Sequence, residues 1–269
     1  MGRRHILNIN KELYRIFDEA DLVNVEFLTN EWRKLNISNI KDAKIILKPF
    51  IFSTIYEMSL SEGHLVDDKQ IKSIIDGNLI SFTGPLETVM LINNLKKAMN
   101  YVIDAGILKM PLTSGLIYNI YTLVATGVTK NDFDYFKRHM YRSKSVYDNL
   151  RTLASELRTR TNSESILELS AYLMVRLQSI QPFESFNFTV AKLLCIYYLL
   201  YNGYPPILFK SAFDFALEDC IISASTDDEL CEVTAVFKYL LKNTMQKNIN
   251  YNNFNKRIED YFDMEVNNE

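Results

Sequence analysis

The sequence predicts a mainly α-helical protein, and three observations lead to this fold class. Only 8 glycines and 6 prolines interrupt 269 residues, and so few helix-breaking residues favour helices. Apolar residues recur three and four positions apart through most of the chain, which is the spacing of one helix face. Segments 163–179 and 189–201 are apolar on nearly every side. We therefore expect these two segments to be buried helices at the hydrophobic centre.

The first part of the chain contains several amphipathic patterns. Residues 8–35 predict two helices, and helical spacing continues over residues 39–60. Pro49 lies within this second stretch and is expected to kink the helix or to begin a new one. A shorter helix is predicted over residues 68–75, and Gly77 is a suitable residue to end it.

The middle of the chain predicts two helices and then a different pattern. Residues 86–105 have a strong apolar face, and Gly106 is expected to close this helix. Another helix is predicted over residues 114–125. The sequence MYRSKSVYD at residues 140–148 alternates weakly between polar and apolar residues, which predicts a short strand or hairpin.

The last part of the chain predicts a charged helix over residues 149–160, the two apolar helices, and two more helices within residues 210–242. No linker separates these patterns clearly. We divide the chain into an N-terminal helical lobe at residues 1–105, a helical core at residues 106–245 and a C-terminal tail at residues 246–269.

Composition excludes several function classes. A formal net charge of -3 argues against a broadly basic nucleic-acid binder. No run approaches the roughly 20 apolar residues of a membrane span, and the N-terminus lacks the apolar region of a signal peptide. The three cysteines are odd in number and far from metal-ligand spacing. We therefore expect a cytoplasmic protein with no membrane contact, metal or structural disulfide.

The segment between the two apolar helices reads QPFESFNFTVAK and begins at Gln181. It resembles the motif HPFx(D/E)GNGRxxR of the Fic family, which also joins two buried helices. Pro182, Phe183 and Asn187 match the motif. The family's histidine, acidic residue, two glycines and two arginines are replaced, and their positions hold Gln181, Ser185, Phe186, Phe188, Thr189 and Lys192.

A second segment resembles the inhibitory helix of the same family. Residues Ser53 to Glu57 are similar to the pattern (S/T)xxxE(G/N), with Met58 at the last position. In inhibited members of the family, the glutamate of this pattern pairs with the second arginine of the loop motif. The resemblance therefore implies that Glu57 and Lys192 form an ion pair.

Two further segments extend the resemblance to residues 45–210. Residues 91–102 are similar to the helix that precedes the family's catalytic domain. Residues 139–146 are similar to the family's GxYRxxxV entry to a β-hairpin flap, which makes Tyr141 and Arg142 flap candidates. The resemblance implies a Fic-like helical fold with an N-terminal helical lobe and a flap that is reduced, because the chain after it is short.

The substitutions remove the chemistry that the resemblance would imply. In the family, the histidine takes a proton from a target hydroxyl, which then accepts AMP from ATP. The amide of Gln181 is not basic and cannot do this. Ser185 offers a neutral hydroxyl where Mg²⁺ prefers an anionic oxygen. Phe186 and Phe188 occupy the place of a phosphate cradle, and Thr189 lacks the forked donor of arginine. We predict that these positions have no catalytic role.

Three functions remain open. The first is a catalytically impaired Fic-like protein that acts through binding or regulation of a protein partner, without a cofactor. The second is a divergent Fic-type nucleotidyltransferase that AMPylates proteins and uses ATP and Mg²⁺. The third is a nucleotide sensor without transfer. In the second and third cases, Asn187 and Lys192 are the candidates for nucleotide binding.

Overall fold

A computed structural model describes residues 15–37, 39–77, 84–128, 144–160, 165–227 and 230–247. All regular structure within these ranges is helical and includes no strand, which confirms the mainly α prediction. In the same ranges, no helix is both long and apolar enough to cross a membrane.

Residues 15–21 are helical. The next helices are α1 (Val25–Arg33), α2 (Ile40–Ile46), α3 (Lys48–Ser61), α4 (Asp68–Ile75) and α5 (Leu86–Ile107). Pro49 lies in the first turn of α3, where a missing N–H leaves no hydrogen bond unmade. Pro49 therefore begins a new helix, which was one of its two predicted roles.

The remaining helices are α6 (Ser114–Ala125), α7 (Lys144–Arg160), α8 (Ile166–Ile180), α9 (Asn187–Tyr201), α10 (Asp214–Asp227) and α11 (Cys231–Lys247). A 3₁₀ turn, Ser211–Phe213, leads into α10. Local chemistry explains several helix starts. The side chain of Thr113 accepts a hydrogen bond from the backbone of Leu116 and caps α6, and Ser165 with Glu168 forms a capping box before α8.

Helix α9 is the centre of the molecule. It packs against α5, α6 and α8, and all of its residues from Thr189 to Leu200 are buried. Helix α8 is also buried along most of its length. The prediction that these two apolar segments form the hydrophobic centre is therefore confirmed, and a shared core extends from Ile16 to Met245.

The predicted end of α5 is wrong. The helix continues through Gly106 to Ile107. A Cβ atom at Gly106 would lie 2.7 Å from the Cβ of Leu200 and 3.3 Å from the carbonyl oxygen of Tyr197. This glycine lets α5 approach α9 closely, and it does not end the helix.

The predicted strand or hairpin is also wrong for its last residues. Helix α7 begins at Lys144, so residues 144–148 are helical. The buried residues Leu150, Leu153 and Leu157 recur at helical spacing, and the packing of this face favours one continuous helix. The rest of the predicted hairpin, with Tyr141 and Arg142, lies outside the described residues, as do tail residues 248–269. The proposed division of the chain near residue 105 stays a prediction.

Candidate functional site

The loop between α8 and α9 holds the motif that the sequence analysis singled out. Gln181 ends α8 with a φ of 40°, and Phe186 precedes α9 with a φ of 61°. Both residues are thus in the left-handed region that favours glycine. Phe186 stands where the resembled motif has glycine. The backbone at Phe186 has a conformation suited to glycine, which costs about 1–2 kcal/mol for a residue with a Cβ.

Asn187 holds this loop together. Its Oδ1 accepts a hydrogen bond from the Phe183 backbone N–H at 3.0 Å, and its Nδ2 donates to the Phe183 carbonyl at 2.7 Å. The ring of Phe183 is buried and stacks on Tyr121 at a centroid distance of 4.1 Å. Both polar atoms of the Asn187 side chain are therefore engaged by the loop itself.

Lys192 is fully buried in α9, with 0% of the residue exposed. Its Nζ donates to Ser61 Oγ at 2.9 Å and lies 2.6 Å from Asp214 Oδ1. Ser61 Oγ donates to the other oxygen of Asp214. The ring of Phe188 covers the ammonium at 4.2 Å, within the range of a cation–π contact. Lys192 thus joins the end of α3 to the start of α10.

The prediction that Glu57 and Lys192 form an ion pair is wrong. Glu57 Oε2 accepts hydrogen bonds from the backbone N–H and the hydroxyl of Ser211, at 2.9 Å and 2.8 Å. Lys192 pairs with Asp214 instead. The reason is geometric, because Glu57 lies one turn before the end of α3 and faces the 3₁₀ turn. Ser53, the other inhibitory-helix candidate, is half-buried one further turn away.

Glu62 is the site residue that sequence reasoning missed. It caps the C-terminus of α3, and Gly63 follows with a φ of 82°. Thr189 Oγ1, on the first turn of α9, donates a hydrogen bond to Glu62 Oε1. A signal was available in the sequence, because Glu62 with Gly63 fits the last two positions of (S/T)xxxE(G/N). Met58 then replaces the hydroxyl residue.

Carboxylates surround the buried ammonium. Burial lowers the pKa of Lys192, and its pairing with Asp214 opposes this effect. Burial also raises the pKa of Glu62, against the hydrogen bond from Thr189 and the charge of Lys192. The pKa of Glu218 is raised by burial and by the charge of Asp214. The site therefore holds its own counter-ions around Lys192.

The oxygen donors in the loop do not fit a magnesium site. Ser185 Oγ is buried and has no hydrogen-bond partner in the described part of the chain, but it is a neutral hydroxyl. Glu184 is exposed. Across the described ranges, no group of three His, Cys, Asp or Glu side chains is arranged to hold a metal ion. Mg²⁺ prefers carboxylate oxygens. The loop does not bring several such oxygens together at one point.

Comparison with known proteins identifies the fold. No family model and no curated protein matches the chain. A Fic domain containing signaling protein from Bacteroides thetaiotaomicron is 17% identical, with a TM-score of 0.62, over 81% of this chain and 91% of that one. Two structures of Fic-1 from C. elegans are 14% and 15% identical, with TM-scores of 0.64 and 0.63. They cover 96% and 97% of this chain and 73% of theirs. The chain therefore has the helical fold of Fic domain proteins.

Proposed function

We propose that this chain is a catalytically impaired Fic-like protein that acts by binding or regulating a partner protein. The observation that carries the proposal is the enclosure of Lys192. Its ammonium contacts Asp214, Ser61 and the ring of Phe188, and none of its surface is exposed. A phosphate group would have to displace these contacts to reach it.

The missing proton acceptor supports the same proposal. Gln181 is exposed at the end of α8, and its amide does not accept a proton near neutral pH. The loss of a general base alone typically slows a reaction by about 10²–10⁴-fold. Asn187 holds the loop to the backbone of Phe183, but the position that resembles the family's histidine has no basic side chain.

The charge of the site also opposes nucleotide binding. The carboxylate of Glu62 lies against Thr189, beside the N-terminus of α9. A helix N-terminus attracts anions through its free N–H groups, and this one already has an acidic side chain beside it. An incoming phosphate would meet a like charge in a partly buried place.

Incubation with labelled ATP and Mg²⁺ tests the proposal. We expect no AMP on the chain itself or on proteins of a host lysate, as read by autoradiography and intact mass. We also expect no increase in melting temperature with ATP, because a ligand of the native state would raise it.

A labelled target would contradict the proposal if labelling is lost in the Gln181→Ala variant. Gln181 is exposed, so this substitution keeps the fold. A saturable thermal shift with ATP in the native chain would instead favour the nucleotide sensor. The double variant Glu62→Gly with Phe188→Gly is a useful comparison, because it removes the acidic group and the ring while keeping Lys192 and Asn187.

A further inference from the structure

One face of α10 exposes two large apolar side chains. Phe215 is 71% exposed and Ile222 is 65% exposed. They are seven residues apart, or two turns, and therefore lie on the same side of the helix. The opposite side of α10 is buried against α8 and α11 through Ala216, Leu217, Cys220, Ile221 and Ala224.

Two acidic residues lie between these apolar side chains. Glu218 and Asp219 are exposed and follow Phe215 by three and four positions, so they share its face of the helix. In the part of the chain that the structure describes, neither forms an ion pair. Asp214, at the start of the same helix, is already neutralised by Lys192. Glu218 feels the charge of Lys192, but this one ammonium already serves Asp214 and Glu62. The outer face of α10 therefore keeps an excess of negative charge.

The geometry points to a docking surface. We propose that the α10 face, defined as Phe215, Glu218, Asp219 and Ile222, binds a basic amphipathic helix of the partner protein. This inference rests on the proposed function, that the chain works by binding. Apolar side chains of such a helix would cover Phe215 and Ile222, as in other helix-on-groove complexes. Its Lys or Arg residues would face the two carboxylates and relieve their mutual repulsion.

The surface is firmly connected to the motif loop. Asp214 begins α10 and binds Lys192 of α9, while the preceding Ser211 binds Glu57 of α3. The start of α10 is therefore held by the contact of Asp214 with Lys192 and by the neighbouring contact of Ser211 with Glu57. Exposed single apolar residues are ordinary on protein surfaces, but a pair on one stripe with an excess of negative charge between them fits a partner of opposite charge.

A designed peptide tests the surface. The probe is a fluorescent peptide of about 18 residues, enough for five helical turns, with Leu on one face and Lys on the other. Titration of the full chain is followed by fluorescence anisotropy. We expect saturable binding that weakens with added salt and is lost with a peptide in which Glu replaces Lys.

Substitutions locate the binding face. Phe215→Ser and Ile222→Ser are each expected to weaken binding about tenfold, and the double variant Glu218→Lys with Asp219→Lys by at least as much. The matched control is Ile45→Ser, because Ile45 is 56% exposed on α2 and lies on another helix. It should bind the peptide as the native chain does. All of these side chains are exposed, so melting temperatures should stay close to the native value.

Three results would overturn the inference. The first is the absence of peptide binding, and the second is an equal loss of peptide affinity in Ile45→Ser and Ile222→Ser. The third is a dimer, seen by sedimentation, that Phe215→Ser abolishes. The last result would assign the α10 face to a second copy of the chain. These outcomes are distinct from failure of the proposed function, which is detected by AMP transfer. If the chain binds the peptide and also transfers AMP, the inference about the α10 face is supported and only the proposed non-catalytic function is contradicted.

Discussion

At the scale of one residue, Lys192 shows that a buried charged side chain needs a partner of opposite charge. A lysine on an otherwise apolar helix must be paired, because an isolated buried charge is strongly unfavourable. The sequence therefore predicts a partner for it without saying which one. The structure selects Asp214, with Ser61 as a second acceptor and Phe188 as a cover.

Removing this ammonium should destabilise the fold. Lys192→Met leaves Asp214 without its counter-ion, and breaking a buried pair in this way costs about 3–5 kcal/mol. We expect about 3 kcal/mol, the lower end, since the Asp214 side chain is 16% exposed. The measurement is the free energy of unfolding in urea. The double variant Lys192→Met with Asp214→Asn should lose less than the sum of the two single variants. Additive losses would show that the two residues are not coupled.

Glu62 should give the molecule a measurable pH dependence. Its raised pKa means that the folded state binds the proton more tightly than the unfolded state. The contribution of Glu62 to stability is therefore present at acid pH. It is lost as the pH rises from about 4.3, the value for an unfolded glutamate, through the raised folded pKa.

The Glu62→Gln variant tests this dependence. Its amide still accepts a hydrogen bond from Thr189 but does not titrate. The difference in unfolding free energy, native minus Glu62→Gln, should decrease as the pH rises through this window. A difference that stays constant or increases would mean that Lys192 and Thr189 outweigh burial. Urea unfolding at several pH values provides the measurement.

At the scale of elements, the loop between α8 and α9 keeps one conformation through contacts of its own. Asn187 ties the first turn of α9 to the backbone of Phe183, and Phe183 stacks on Tyr121 of α6. These contacts hold Phe186 at a positive φ. The loop conformation is therefore held by contacts within the protein and does not depend on a phosphate.

The two phenylalanines of the loop should respond oppositely to glycine. At Phe186, glycine should be more stable than alanine by about 1 kcal/mol, because only glycine adopts a positive φ without strain. At Phe188, in the first turn of α9, alanine should be more stable than glycine by about 0.5 kcal/mol. Four single variants compared by urea unfolding give both differences. If alanine is more stable than glycine at both positions, Phe186 does not hold the left-handed conformation.

At the scale of the whole molecule, the close crossing of α5 and α9 organises the fold. Helix α9 is surrounded by other helices, and Gly106 permits the nearest approach because it has no Cβ to meet Leu200. Protein interiors are packed so closely that one added methyl group changes the stability. The crossing therefore depends on a glycine within a helix.

Gly106→Ala should destabilise the protein, and a second glycine provides the control. The new methyl group meets the Cβ of Leu200, and such overpacking costs about 1–3 kcal/mol. Gly115, in the first turn of α6, has only Thr113 Oγ1 nearby, at 3.7 Å. Gly115→Ala should leave the stability unchanged or raise it by about 0.5 kcal/mol. Melting temperatures and urea midpoints distinguish the two variants, and equal effects would contradict a tight crossing.

Local signals predicted helices well where the deciding chemistry is itself local. The helices at Asp68–Ile75 and Ser114–Ala125 have the predicted bounds, because caps such as Asp67 and Thr113 are their neighbours in sequence. The predictions at Gly106 and at residues 144–148 were wrong. At Gly106, the deciding contact is made with residues far along the chain. For residues 144–148, the buried face of α7 outweighs a weak alternation.

The predictions about the site were also right where they depended on local chemistry and wrong where they depended on distant contacts. The sequence singled out the loop, the need for a partner at Lys192 and the absence of a basic side chain at Gln181. It expected Glu57 to pair with Lys192, whereas Glu57 binds Ser211, because a pattern match does not measure where a helix ends against its neighbour. Glu62 reaches Thr189 only because α3 ends there.

By itself, the sequence determined that this chain is helical, that two apolar helices form its centre and that Gln181, in the joining loop, has no basic side chain. These properties follow from apolar spacing and from residue chemistry, which need no knowledge of distant contacts. Only the tertiary structure decided that Asp214 neutralises Lys192, that Glu62 lies beside α9 and that α10 presents an acidic and apolar face. Ion pairing and burial depend on which helices pack together, and that arrangement is a property of the whole chain.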